Sequence, residues 1–168
     1  SRRNTRMLQS PSVAPARTGT HWHLLTLAGL YVSQGLPMGL ALMALPAILR
    51  SLGYSTQAIG AVGLVILPWA LKFLWAPLVD RDRQFHLGRR RGWILPAQAL
   101  MVALYLSIGL VATQTGSIGW IIGLLVVANL VSATQDIAAD GWAVELLRGP
   151  ELAWVNGLQI GGFAFGML

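Results

Sequence analysis

The chain has 168 residues, of which 55% are hydrophobic and only 11% charged, with 19 glycines, no cysteine and a formal net charge of +6. That balance excludes an ordinary soluble domain and matches a helical protein that crosses a lipid bilayer several times. Without cysteine there is neither a disulfide framework nor a thiolate metal site, and the arginines flank apolar runs instead of forming a basic face interleaved with stacking aromatics, which argues against a nucleic-acid partner.

Residues 1–21 are rich in Ser, Pro and Arg and contain no acid, the composition of a disordered basic cytoplasmic tail. The first apolar segment, 22–49, is too long for the core of a cleavable signal and reads as a retained helix. At about 1.5 Å per residue it crosses a hydrocarbon core of about 30 Å with room to tilt. Its middle carries Gln34-Gly35-Leu36-Pro37. Proline removes a backbone donor and Gly35 with Gly39 forms a small-xxx-small pair, so a kink and close packing are expected there. Tyr31, Gln34, Gly35 and Met38 share one face of this segment.

A polar turn at 50–55 leads to a second span, 56–79, which contains Pro68 and Lys72. The following loop, D-R-D-R-Q-F-H-L-G-R-R-R over 80–91, is the densest charge cluster in the chain. A third span covers 92–112, an uncharged turn 113–117, and a fourth span 118–147. Arg148-Gly149-Pro150 breaks that helix, and a fifth span, 152–168, is cut off inside an apolar run. Residues 22–168 therefore read as part of a larger transmembrane unit. Arginines crowd the tail and the loop between spans two and three, whereas Arg50 stands alone on the opposite side, which places the N-terminus in the cytoplasm. Trp22, Trp75, Trp93, Trp120, Trp142 and Trp154 fall near helix ends, where indoles favour the headgroup level; Trp69 lies deeper.

The fourth span ends in A-T-Q-D-I-A-A-D-G-W-A-V-E-L-L over 133–147. A carboxylate at the centre of a membrane helix costs roughly 2.5–3.5 kcal/mol on insertion scales, so such groups face a bundle interior, a polar partner or a water-filled path. At 100° per residue Asn129, Ser132, Asp136 and Asp140 occupy an arc of roughly 80°, whereas Glu145 points away. Lys72 and Asp136 lie at matched depth, roughly 12–14 Å inside the cytoplasmic boundary. Two readings follow: a structural ion pair, or a site for a proton or a substrate. Gln98, Asn156 and Gln159 add single intramembrane amides, which serve more often as interhelical glue than as ligands. Gly119 with Gly123, Gly157 with Gly161 and Gly162 with Gly166 are expected at close helix contacts.

No enzyme signature is present: His21 and His23 lie beside the tail, His86 lies in a loop, and there is neither a nucleophile elbow nor a phosphate loop. Asp80, Asp82 and His86 are interrupted by Arg81 and Arg83, a solvated charge cluster rather than a metal site. No cofactor is expected.

The stretch L-K-F-L-W-A-P-L-V-D-R followed by G-R-R-R-G-W-I-L resembles the loop between helices two and three of the major facilitator superfamily. Asp80, Arg81, Gly88, Arg89 and Arg90 match its loop motif; Ala76 stands where the motif has glycine, and six residues instead of one separate Arg81 from Gly88. A-T-Q-D-I-A-A-D-G-W narrows the likeness to the branch holding anhydromuropeptide permeases, acetyl-CoA transporters and siderophore-uptake permeases of the pyochelin and rhizobactin kind. G-L-Y-V-S-Q-G-L-P-M-G-L and N-G-L-Q-I-G-G look closest to the siderophore branch.

The resemblance implies an all-α bundle of twelve helices in two halves rocking about a central site, of which this chain holds about five helices of the N-terminal half. The C-terminal half and the lipid bilayer are then its partners. It implies import of a ferric siderophore across the bacterial inner membrane by alternating access, with anhydromuropeptide import as the alternative; a scaffold or sensor that kept the fold and lost transport is a third. Substrate contacts are expected at Tyr31, Gln34, Asn129, Asp136, Asn156 and Gln159. Asp136, Lys72 and Asp140 are the candidates for proton symport or an ion pair. The loop charges are implied to hold the outward-facing state through Glu145 or Asp140.

Overall fold

A computed structural model describes residues 20–81, 88–112, 118–147 and 150–168. The expected tail over 1–19, loop residues Asp82, Arg83 and His86, the turn at 113–117 and the break at Arg148-Gly149 lie outside the described residues.

Every regular element among the described residues is helical. This is what an apolar chain in lipid requires, because backbone N–H and C=O groups must be satisfied within the segment. The elements are α1 (Thr20–Gly39), α2 (Leu45–Ser51), α3 (Thr56–Ala61), α4 (Leu67–Leu71), α5 (Ala76–Arg81), α6 (Arg91–Ala112), α7 (Ile118–Leu146) and α8 (Pro150–Met167). Among the described residues four continuous stretches are long and apolar enough to cross a membrane: His21–Ser51, Thr56–Leu74, Arg91–Ala112 and Ile118–Leu146.

The first crossing is one rod in which α1 passes through a π-helical turn, Leu40–Ala44, into α2. Pro37 sits inside α1 and cannot donate to the carbonyl of Ser33 one turn earlier. That carbonyl accepts from the Tyr105 hydroxyl of α6 instead, at 3.3 Å. The adjacent carbonyl of Gln34 accepts from the Ser132 hydroxyl of α7 at 3.1 Å. The sequence pattern locates the irregularity; the carbonyls around it are where neighbouring helices attach. The π turn closes with Leu45 N–H donating to the Leu40 carbonyl, immediately before Pro46 withdraws a second donor. The rod ends in a Schellman arrangement: Tyr54 N–H donates to Leu49 and Gly53 N–H to Arg50, both at 3.1 Å. Gly53 has φ +80, a left-handed conformation that glycine adopts without penalty.

The second crossing is less regular. The Ser55 hydroxyl caps α3 by accepting from Ala58 N–H at 3.2 Å, but 3₁₀ turns at Val62–Ile66 and Lys72–Leu74 interrupt the α-helix. Pro68 and Pro77 account for the interruptions, since each removes a donor from the ladder. Lys72 thus leaves the helix from a tightened turn.

α7 is the hub. α6, α1 and the second crossing from Val62 onward pack on it, while α1 also carries α8. The α1–α8 seam is built from glycine. A Cβ on Gly166 would strike the Val32 carbonyl, one on Gly35 the Phe163 carbonyl and one on Gly39 the Met167 carbonyl, while one on Gly162 would stand 3.1 Å from the Tyr31 Cβ. Gly119, Gly123, Gly157 and Gly161 differ from expectation, because a Cβ on any of them would meet nothing within 4 Å. They lie on helix faces without a neighbour among the described residues. Replacing Gly166 by Ala should therefore destabilise the purified full-length protein by about 1–3 kcal/mol through overpacking, seen as a lowered midpoint of thermal unfolding in detergent. Gly161→Ala should leave that midpoint in place.

Candidate functional site

Along α7 the buried positions Asn129, Ser132, Ala133, Gln135, Asp136, Ala138, Ala139 and Ala143 alternate polar groups with alanines. The short side chains let neighbouring helices come close, and each of the three acids on this helix reaches a different neighbour.

Asp136, with only 2% of its side chain exposed, forms an ion pair with Lys72 of the second crossing, whose side chain is 35% exposed. The ammonium also stands 5.1 Å from the centre of the Trp69 ring, a cation–π placement. Trp69 in turn meets Phe163 of α8 edge-on, with ring centres 5.2 Å apart. The cation is thereby placed between a carboxylate and an aromatic face.

One turn further on, Asp140 is held by neutral donors. The Tyr31 hydroxyl of α1 donates to its Oδ1 at 3.0 Å, and the Gln159 amide of α8 donates to Oδ1 at 3.1 Å and Oδ2 at 3.2 Å. The glycine seam sets this up: Gly162, one turn after Gln159, packs against the Tyr31 Cβ, so both donors arrive on the same carboxylate.

At the helix end Glu145 pairs with Arg89 and with Arg90, the latter through Nε at 3.0 Å. Arg90 also binds Asp80 at the end of α5, at 2.6 Å. Arg90 is 8% exposed although charged, and Gly141 explains how it fits, since a Cβ there would collide with the guanidinium. The turn that presents these arginines starts at Gly88, with φ +91. A cleft of about 550 Å³ lies beside this clasp, bordered by Lys72, Asp80, Arg89, Arg90, Asp140 and Glu145 and by the α7 surface at Ile137, Gly141 and Val144.

A second polar knot joins α1, α6 and α7 around Ser33. Its hydroxyl accepts from Gln98 at 2.9 Å and from Gln135 at 3.2 Å while donating to the Leu30 carbonyl. Nearby, the Trp75 indole donates to Thr134 Oγ1 at 3.1 Å. Gln34 is fully buried, and neither of its amide atoms has a hydrogen bond among the described residues.

The structure gathers Tyr31, Asp140 and Gln159 into one group, Lys72 and Asp136 into a second, and Asp80, Arg89, Arg90 and Glu145 into a third. Gln34 and Asn129 are buried between helices and do not border the cleft, and the Asn129 amide donates to its own Leu125 carbonyl at 2.9 Å. Asn156 and Arg81 are exposed and stand outside these groups. Of the two acids considered for the loop arginines, Glu145 takes them and Asp140 turns to Tyr31. Sequence reasoning missed Ser33, Gln135 and Gly141. Ser33 and Gln135 neighbour flagged residues and were legible as polar groups in apolar helices; Gly141 has no signal apart from its contact with Arg90.

Several membrane-crossing helices around a buried ionised pair define a multi-pass membrane protein. The family model described as acetyl-coenzyme A transporter 1 matches residues 23–168, and the chain belongs to that family. It is 34% identical over 136 residues to the anhydromuropeptide permease of Escherichia coli K12, covering 81% of this chain and 28% of that protein. It is 40% identical over 133 residues to an uncharacterised protein of Haemophilus influenzae, covering 78% and 31%. To an uncharacterised membrane protein of Saccharomyces cerevisiae it is 32% identical over 164 residues, covering 80% and 29%. The chain thus spans about three-tenths of the length of these curated relatives. No solved structure matches.

Removing one member of a buried ion pair leaves the other uncompensated, at a cost of about 3–5 kcal/mol, whereas removing both restores much of the loss. Lys72→Ala should fall toward the lower figure, because the lysine is partly exposed. In the full-length protein Lys72→Ala should reduce thermal stability, and Lys72→Ala with Asp136→Asn should recover part of it. Strictly additive losses in that double-mutant cycle would dissolve the pair.

Proposed function

We propose that this chain is part of the N-terminal half of a major-facilitator-type transporter that imports an anhydromuropeptide by alternating access. The observation that carries the reading is the charged cleft beside α7, bordered by Lys72, Arg90 and Asp140. The likeness to a permease named for that substrate class supports it. In this reading the protein sits in a bacterial inner membrane with its N-terminus in the cytoplasm, a second half completes the cavity, and no bond of the substrate is made or broken.

A muropeptide offers carboxylates, amides and sugar hydroxyls. Lys72 supplies a cation for a carboxylate, while Asp140, which also borders the cleft, supplies an acceptor for amides and hydroxyls and is held in place from behind by Tyr31 and Gln159. A substrate carboxylate that draws Lys72 away leaves Asp136 unpaired, and a proton on Asp136 restores neutrality. Symport follows from that exchange of one counter-charge for another. The comparisons favour this reading over ferric-siderophore import, which rests on the likeness of the segments around Tyr31 and Gln159.

The proposal is tested by accumulation of labelled anhydromuropeptide and of labelled ferric siderophore in cells expressing the full-length protein. Muropeptide uptake lost in Asp136→Asn is expected. Uptake of siderophore alone would overturn the substrate, and uptake of neither by correctly inserted protein would leave a scaffold or sensor.

The arginine clasp is the second part of the proposal: it holds the outward-facing state by tying α5 and the turn before α6 to the end of α7. Glu145→Gln and Gly141→Ala, the latter by displacing Arg90, should both raise the labelling of cysteines introduced on the cytoplasmic side. Unchanged labelling would reduce the clasp to a solvated charge cluster.

A further inference from the structure

A second pocket, of about 360 Å³, opens where α1, α6 and the end of α7 meet. Its volume lies within the range of small-molecule sites. Trp22, His23, Arg91 and Trp142 form its upper part and Leu30 and Ile94 its lower part. Trp22 and His23 stand at the start of the first crossing, Arg91 starts another, and Trp142 is near the end of a third. The mouth is therefore at one membrane boundary. Leu30 lies seven residues beyond His23, about 10 Å deeper along the helix. The pocket thus runs from the headgroup level into the hydrocarbon.

Its charge is one-sided. No acid lines it, and whereas Arg89 and Arg90 are committed to Glu145 and Asp80, Arg91 is exposed and has no acid partner among the described residues. Trp22 is 75% exposed, and the ring of His23 meets that of Trp142 edge-on at 5.9 Å. A guanidinium at the rim binds a phosphate through paired N–H groups, indoles favour the glycerol level, and buried aliphatic side chains below suit an acyl chain. A soluble anion would leave the apolar floor unused, and a neutral lipid would leave the guanidinium without a counter-charge.

We propose that this pocket binds an anionic phospholipid of the leaflet that faces the arginine clusters, with its phosphate on Arg91 and an acyl chain along Leu30 and Ile94. The site is separate from the cleft beside Lys72 and does not depend on what that cleft transports. Its occupant would tie the start of α1 to the start of α6 next to the clasp.

The test is native mass spectrometry of the full-length protein released from micelles containing equal amounts of phosphatidylglycerol and phosphatidylcholine. The wild type should retain phosphatidylglycerol by about fivefold over phosphatidylcholine, the worth of one arginine at an anionic surface. Arg91→Gln should abolish that preference, and Arg50→Gln, at the far end of the first crossing, should keep it. Thr26→Trp fills the pocket from an exposed position without changing charge and should also reduce retention. Equal retention of the two lipids by the wild type, or a preference that survives Arg91→Gln, overturns the proposal. A preference that survives Thr26→Trp assigns it to diffuse surface charge and overturns the pocket.

Discussion

A carboxylate buried in a membrane helix must find a partner, and α7 carries three acids within ten residues. That requirement organises the structure. Asp136 draws in Lys72, Asp140 draws in Tyr31 and Gln159, and Glu145 draws in the arginines of the turn before α6. The partners come from four different parts of the chain, so satisfying one helix also fixes where its neighbours stand. Alanine on the faces between the acids keeps those neighbours close enough to reach.

The backbone supports this through its defects. Pro37 leaves the Ser33 carbonyl without its helical donor, and Tyr105 supplies another. Glycine at 35, 39, 162 and 166 lets α1 and α8 approach until backbone faces backbone, which carries Gln159 to the same carboxylate as Tyr31. A bulkier seam would separate those two donors. Features that weaken an isolated helix therefore become points of attachment in the bundle.

Apolar runs of crossing length, bounded by arginine and turn residues, made the all-helical membrane class legible, because lipid leaves the backbone few alternatives. Depth along two helices brought Lys72 and Asp136 to one level, and the helical wheel separated Glu145 from Asp136. Periodicity carried no information about which way Asp140 turns, since that depends on the approach of α8 through Gly162. Glycine spacing alone also placed Gly119 with Gly123 and Gly157 with Gly161 at contacts, although the motif states only that a close approach is possible. The 3₁₀ turn under Lys72 and the π turn before Pro46 redistribute hydrogen bonds in three dimensions and have no one-dimensional signature beyond the prolines themselves.

The three groups on α7 differ in what breaking them costs. In the clasp Glu145 is 40% and Asp80 54% exposed, and because parting the turn from α7 also brings the buried Arg90 to water, which replaces the lost partners, its pairs cost little more to break than exposed ion pairs, about 0–1 kcal/mol each. Asp136 has no such replacement: at 2% exposure its separation from Lys72 leaves a buried charge uncompensated, which costs roughly 3–5 kcal/mol. Among the described residues the α1–α8 seam is closed by glycine backbone rather than by an ion pair. The cheapest place to open this bundle is therefore between the arginine turn and the end of α7, and the costliest charge to strip of its partner is Asp136. Asp140, one turn away, is held by neutral donors on α1 and α8, whereas Asp136 is held by a cation on the second crossing, so the two acids tie α7 to different neighbours.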